Sequence, residues 1–167
     1  MQDTIKPTVL TQNVTVSLDA SGAGSVTVAD IDNGSTDNCS IASRTLSKTS
    51  FDCSNVGANT IYLVVTDVNG NTDSTSAVVT VQDTIKPTVL TQNVTVSLDA
   101  SGAGSVTVAD IDNGSTDNCS IASRTLSKTS FDCSNVGANT IYLIVTDVNG
   151  NIDSASAVVT VQDTIKP

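Results

Sequence analysis

Histidine, glutamate and tryptophan are absent from this 167-residue sequence, and phenylalanine and tyrosine occur only twice each. Without histidine or glutamate, acid–base chemistry is left to aspartate and lysine, and no nucleophile stands beside a plausible base. An enzyme is therefore not expected. The shortage of aromatics removes the platforms on which sugars commonly stack and leaves little bulk for a core. Basic residues are scarce too: seven Lys and Arg stand against seventeen acids, a formal charge of −10. Phosphate backbones call for a cationic surface, so nucleic acid is not an expected partner. No apolar run is long enough to span a bilayer, and no signal-peptide or lipidation pattern is visible, so export and anchoring signals are expected elsewhere in a longer parent.

What the sequence does contain, it contains twice. Residues 2–87 match residues 82–167 at an offset of 80, the only exchanges being Val64/Ile144, Thr72/Ile152 and Thr75/Ala155. A period this long carries a complete strand-and-turn pattern, which indicates an array of small domains rather than a solenoid of short coils. The expected boundaries are 1–82 for the first repeat, 83–162 for the second, and 163–167 for the start of the linker to a following repeat. The phrase "QDTIKP" then marks the seams, at Asp3, Asp83 and Asp163.

All seventeen acids are aspartate. Aspartate favours turns, caps and metal sites, whereas glutamate is the helix former, so the negative charge is concentrated in loops. The four cysteines fall as one pair per repeat, which favours Cys39 with Cys53 and Cys119 with Cys133. A bridge of that span is worth about 3 kcal/mol in the chain-entropy model. Zinc would require carboxylates or a second unit to complete its ligand set and is not expected. Disulfides point to an oxidising, extracytoplasmic location.

Alternation is clearest in "NVTVSLD", where Val14, Val16 and Leu18 point one way. "SVTVADI" follows after "ASGAG", and the two runs read as a hairpin around the glycines. "IASRTLSKTSF" reads as an edge strand or two short ones, "TIYLVVTD" as a central strand, and "SAVVTVQD" as the last. No stretch has a helical period. Six or seven short strands in eighty residues predict a small antiparallel immunoglobulin-like β-sandwich, each repeat with one internal disulfide.

Strand parity places "DVNGNTD" at the pole where the chain comes in and "DIDNGSTDN" at the pole where it leaves. At the seam this gathers Asp30, Asp32 and Asp37 of the first repeat, Asp83 of the linker, and Asp147, Asn149 and Asn151 of the second. Equivalent positions extend the candidate ligands to Asp3, Asp67, Asn69, Asn71, Asp110, Asp112 and Asp117. Such a crowd of carboxylates repels itself, and calcium, which takes six to eight oxygens, is the expected neutraliser. The competing reading is that these Asp and Asn residues cap their own turns.

"DTIKP", "DNC", "VTDVNGN" and "AVVTVQD" resemble the framework of the hyalin repeat, an immunoglobulin-like extracellular module. "NVTVSLDASGAGSVTVADIDNGSTDNCSI" with "LSKTSFDCSNVGANTIYLVVTD" resembles the tandem repeats of giant surface adhesins of gliding Bacteroidetes. The resemblance implies a secreted, bacterial cell-surface array in adhesion or gliding. The expected function is a structural spacer whose partners are neighbouring repeats of the same chain, stiffened by calcium at the junctions. The alternative is a multivalent module that binds a glycan or another surface ligand. Lys6 and Lys48, with Asp19 or Asp52 as acid, are formal candidates for a lysine–asparagine crosslink, but lysines are ordinarily exposed. The glycosylation-like triplets at Asn13, Asn33 and Asn38 are read as chance matches in a chain rich in Asn, Ser and Thr.

Overall fold

A computed structural model describes residues 2–166 and divides the chain into two compact units, Met1–Thr84 and Ile85–Pro167. In the first unit the elements are β1 (Val14–Ser17), β2 (Ala23–Ser25), the single helical turn α1 (Val28–Ile31), β3 (Ile41–Leu46), β4 (Ser50–Asp52), a 3-10 turn at Cys53–Asn55, β5 (Gly57–Asp67) and β6 (Thr72–Gln82). The second unit repeats them as β7 (Val94–Ser97), β8 (Ala103–Ser105), α2 (Val108–Ile111), β9 (Ile121–Leu126), β10 (Ser130–Asp132), β11 (Gly137–Asp147) and β12 (Ile152–Gln162). Among these residues, no helix is long and apolar enough to cross a membrane.

Each unit is a β-sandwich of immunoglobulin-like type. The larger sheet has the order β1-β6-β5-β3 and the smaller pairs β2 with β4. β5 and β6 form a long antiparallel hairpin from Gly57↔Val81 to Thr66↔Thr72. Period-2 alternation sends Ile61, Leu63 and Val65 of β5 and Ala77, Val79 and Val81 of β6 into the core. Leu18, Val26, Ile31 and Phe51 close it from the other side. Burying each of these larger side chains stabilises the unit by about 1.5–3 kcal/mol before entropy is counted.

The pairing of β1 departs from the sequence expectation. β1 and β2 do not form a hairpin: β1 runs parallel to β6, from Val14↔Val79 to Ser17↔Gln82, while β2 pairs antiparallel with β4. The larger sheet is therefore mixed rather than purely antiparallel. Gly24 shows why. A Cβ there would lie 2.7 Å from Cγ1 of Val16 and 3.3 Å from Cδ2 of Leu18. β1 and β2 meet face to face across the sandwich, and only a glycine allows that approach.

A second departure follows α1. The chain from Asp32 to Thr36 passes beside the segment that leads into β1, with isolated bridges Thr11↔Asp32 and Thr8↔Thr36. This extra pass carries the loop back toward the pole at which the chain came in. It shifts the parity on which the pole assignment of "DIDNGSTDN" depended.

Candidate metal centre

The turn from β5 to β6 organises the site. Asp67 is 1% exposed, and its Oδ1 accepts hydrogen bonds from the backbone N–H groups of Asn69 and Asn71, both at 2.8 Å. Its Oδ2 accepts from Nδ2 of Asn71 at 2.7 Å. Gly70, at φ +91°, supplies the left-handed residue this tight turn requires. Burial pushes the Asp67 carboxyl up, but the hydrogen bonds from Asn71 and Asn69 outweigh it and hold the group below its ordinary value.

Asp3 lies against this turn. Its Oδ2 accepts from Nδ2 of Asn69 at 3.1 Å and of Asn38 at 3.2 Å, and its backbone oxygen accepts from Nδ2 of Asn71 at 3.2 Å. The Cys39 thiol, first, and then the Ile5 N–H hold the Asp3 carboxyl low, while the same contact with Asp3 pushes the Cys39 thiol up. Asp37 completes the group. One of its oxygens, Oδ2, accepts from the Cys39 N–H at 2.9 Å; the other, Oδ1, is buried with no hydrogen-bond partner among the described residues. Oδ1 of Asp117 in the second unit is in the same condition.

Asp3, Asp37 and Asp67 each present a carboxylate oxygen within 4.8 Å of the others. Calcium–oxygen bonds are about 2.3–2.6 Å, so two oxygens on opposite sides of one ion stand about 4.6–5.2 Å apart. The spacing fits a hard divalent cation, and so does the donor chemistry, which offers three carboxylates with amide and main-chain oxygens beside them. The buried, unpartnered oxygen of Asp37 is the atom that most needs a positive neighbour.

The expected ligands separate into two sets. Asp37 was expected at the far pole but joins Asp3 and Asp67 at the near one. Asp30 and Asp32 are not brought to the cluster. Asp30 accepts from the backbone N–H of Thr27 at 2.7 Å and from its hydroxyl at 2.8 Å, tying off the start of α1. Asp32 accepts from the Ser35 hydroxyl at 2.6 Å and pairs with Nε of Arg44 at 2.8 Å. In the second unit Asp110 binds Thr107 in the same way, and Asp112 pairs with Arg124 at 2.9 Å. Asn69 and Asn71 stand at the cluster as amide donors. Asp147 is again buried, its Oδ1 accepting from the N–H groups of Asn149 and Asn151. Asp117 repeats the Asp37 contact, accepting from the Cys119 N–H at 2.9 Å. Asp83 holds the place of Asp3 in the repeated phrase. Asn38 and Cys39 were missed as neighbours of the site, although "DNC" already placed them beside Asp37.

The expected intra-unit disulfides do not form. Cys39 and Cys133 are free, exposed thiols, so each expected pair lacks one of its members. Within the first unit Cys39 sits at the Asp3 pole, whereas the Cys53 sulfur lies 3.9 Å from the carbonyl of Gly22, in the turn after β1 at the opposite pole. The length of the sandwich separates the two cysteines, and a bridge needs Cα atoms within about 7 Å. Lys48 donates to Oδ1 of Asn55 at 3.2 Å, but the lysine is exposed and nearby Asp52 is held low, first by the Ser54 hydroxyl, then by the Ser54 N–H. The buried protonated acid that a lysine–asparagine crosslink uses is not present there.

No protein-family model matches the sequence, and no curated protein matches it. Solved structures similar to the chain include human protocadherin-24 EC1-2, at 11% identity over 96% of this chain and 100% of that one, with a TM-score of 0.47. Mouse cadherin-23 EC22-24 is similar at 14% identity over 95% of this chain and 65% of that one, with a TM-score of 0.43. The protocadherin gamma B7 extracellular cadherin domains 1-4 are similar at 14% identity over 95% of this chain, with a TM-score of 0.43, and this chain spans 51% of their length. At these scores the likeness carries no argument about function.

Proposed function

We propose that this chain is a structural spacer of an extracellular, bacterial cell-surface adhesin, and that calcium holds the upstream pole of each repeat. The observation that supports this reading is the convergence of Asp3, Asp37 and Asp67, drawn from three separated stretches of one unit. Asp3 lies on the leading segment, Asp37 on the loop before β3, and Asp67 on the β5–β6 turn. A cation bound by all three ties the incoming segment to the body of the unit. Asn38, Asn69 and Asn71 already touch Asp3 and could turn amide oxygens toward the ion. Asp83 occupies the place of Asp3 in the phrase that connects the repeats, so the junction calcium expected from the sequence becomes a site of the repeat that follows each seam.

The mechanism is linkage: an ion that binds the assembled pole and not the opened or unfolded one stabilises it by mass action. The uniform repeats, short of aromatics, suit a stalk whose partners along the chain are further repeats. Calorimetric titration of calcium into the chain tests the proposal. Saturable binding that is lost in Asp37→Asn with Asp117→Asn supports it; the absence of binding up to millimolar calcium removes the metal from the reading.

A further inference from the structure

The first and last strands of each unit are neighbours and run parallel, and this fixes how the unit meets tension. The chain comes in at the Asp3 pole, runs along β1, and finally leaves along β6 at the opposite pole. We propose a mechanical function: each unit resists force applied through its termini by loading the β1–β6 ladder in shear. Pulling on the leading segment draws β1 backward while pulling on the trailing end draws β6 forward, so the two strands must slide past each other. The evenly spaced bonds of a parallel pair then carry the load together. In a hairpin pulled from its open end they would fail one after another.

Side chains lengthen this ladder upstream, and a further backbone bond lengthens it downstream. Upstream, the Thr11 hydroxyl donates to the carbonyl of Ser76 at 2.7 Å, and the N–H of Val78 donates to Oδ1 of Asn13 at 2.8 Å. Downstream, the N–H of Leu18 donates to the carbonyl of Gln82 at 2.8 Å. The second unit repeats all three: Thr91 with Ser156 at 2.6 Å, Val158 with Asn93 at 2.8 Å, and Leu98 with Gln162 at 2.8 Å. Farther upstream, Thr8 and Thr36 exchange two backbone bonds at 2.8 and 3.0 Å, so the leading segment is held before the load reaches β1. The inference rests on the spacer reading only for the source of the tension, since the shear geometry needs no cation.

Force-clamp spectroscopy on the whole chain, held by its termini in chelator and reductant, tests it. Asn13→Ala with Asn93→Ala removes one side-chain rung from each ladder. Leu46→Ala with Leu126→Ala weakens β3 and β9, at the far edge of each sheet. The expectation is that the asparagine variant unfolds roughly fivefold to tenfold sooner at a fixed force, the fold-change given by about 1–1.4 kcal/mol taken from the barrier. The leucine variant, although at least as destabilised in denaturant, shortens the dwell less. Should the asparagine variant fail to fold, Thr11→Val with Thr91→Val removes the adjacent rung and carries the same expectation. The inference is overturned if dwell times follow equilibrium stability regardless of which edge is altered. No ligand is read in this experiment, so its failure leaves the calcium reading standing, and failure of calcium binding leaves the shear inference standing.

Discussion

Replacing Asp67 and Asp147 by asparagine is the substitution that separates the cation from the turn it sits on. An asparagine Oδ1 can still accept the two backbone N–H groups at 2.8 Å that fold the β5–β6 turn. What is lost is one carboxylate of the three that converge within 4.8 Å, and the contact between Oδ2 and Asn71. Extracellular calcium modules bind with Kd of about 10⁻⁴–10⁻³ M. In about 10 mM calcium such a site is filled to about 10–100 times its Kd, and binding to the folded state alone stabilises a unit by about 1.4–2.7 kcal/mol. For a domain of this size each kcal/mol moves Tm by about 4–8 °C, so the native chain should melt about 6–20 °C higher in calcium than in chelator. Circular dichroism melts at matched ionic strength read this directly. The double variant should fold but lose most of the calcium increment. A native chain whose Tm is the same in calcium, chelator and sodium chloride of equal ionic strength would refute the reasoning.

The remaining predictions concern the fold and the groups around the site. Asp19, Asp30, Asp52 and Asp67 are all held below the ordinary value of 3.8 by hydrogen bonds made only in the folded chain, so the stability they contribute is present above about pH 4 and is lost as pH falls through the folded values. Melts in chelator should therefore be flat from about pH 5 upward and fall steeply below about pH 4. Leu63→Ala, at a fully buried position, should cost the first unit about 2–5 kcal/mol and split denaturant unfolding into two transitions, the later one unchanged. Cys39 should react slowly with iodoacetamide at neutral pH because Asp3 pushes its thiol up; Asp3→Asn should speed the labelling, and an unchanged rate would remove Asp3 as the cause. Arg44→Ala should cost about 1–2 kcal/mol, since it breaks the contacts with Asp32 and the Ser35 carbonyl around a half-exposed guanidinium.

The central and last strands of each repeat were legible in the sequence, and so was the sandwich they build. "TIYLVVTD" became β5, flanked on both sides, and "SAVVTVQD" became β6. The partner of β1 was not legible. Val14 faces Val79 across sixty-five residues of chain, and nothing in "NVTVSLD" marks a mate so far away, whereas the nearby glycines advertise a hairpin. Gly24 in fact answers to Val16 across the core. Among the acids, Asp67 and Asn71 declared themselves through the turn they form. Asp30 and Asp32 looked alike as ligands, yet local partners claimed them: Thr27 three residues before one, Ser35 three residues after the other. The "T-x-x-D" spacing of a helix cap was the available signal. The cysteine pairing misled because counting cysteines per repeat says nothing about which pole each one occupies.

The mate that β1 waits for also sets the order in which a unit can be made. Closing a loop of sixty-five residues costs about 3.7 kcal/mol in chain entropy beyond a constant term. Such non-local pairing slows folding. During synthesis from the N-terminus, Leu18 can find no carbonyl at Gln82 until that residue has emerged, by which point almost the whole repeat is already out. Each repeat thus stays soft while it lengthens and sets only when its last strand arrives.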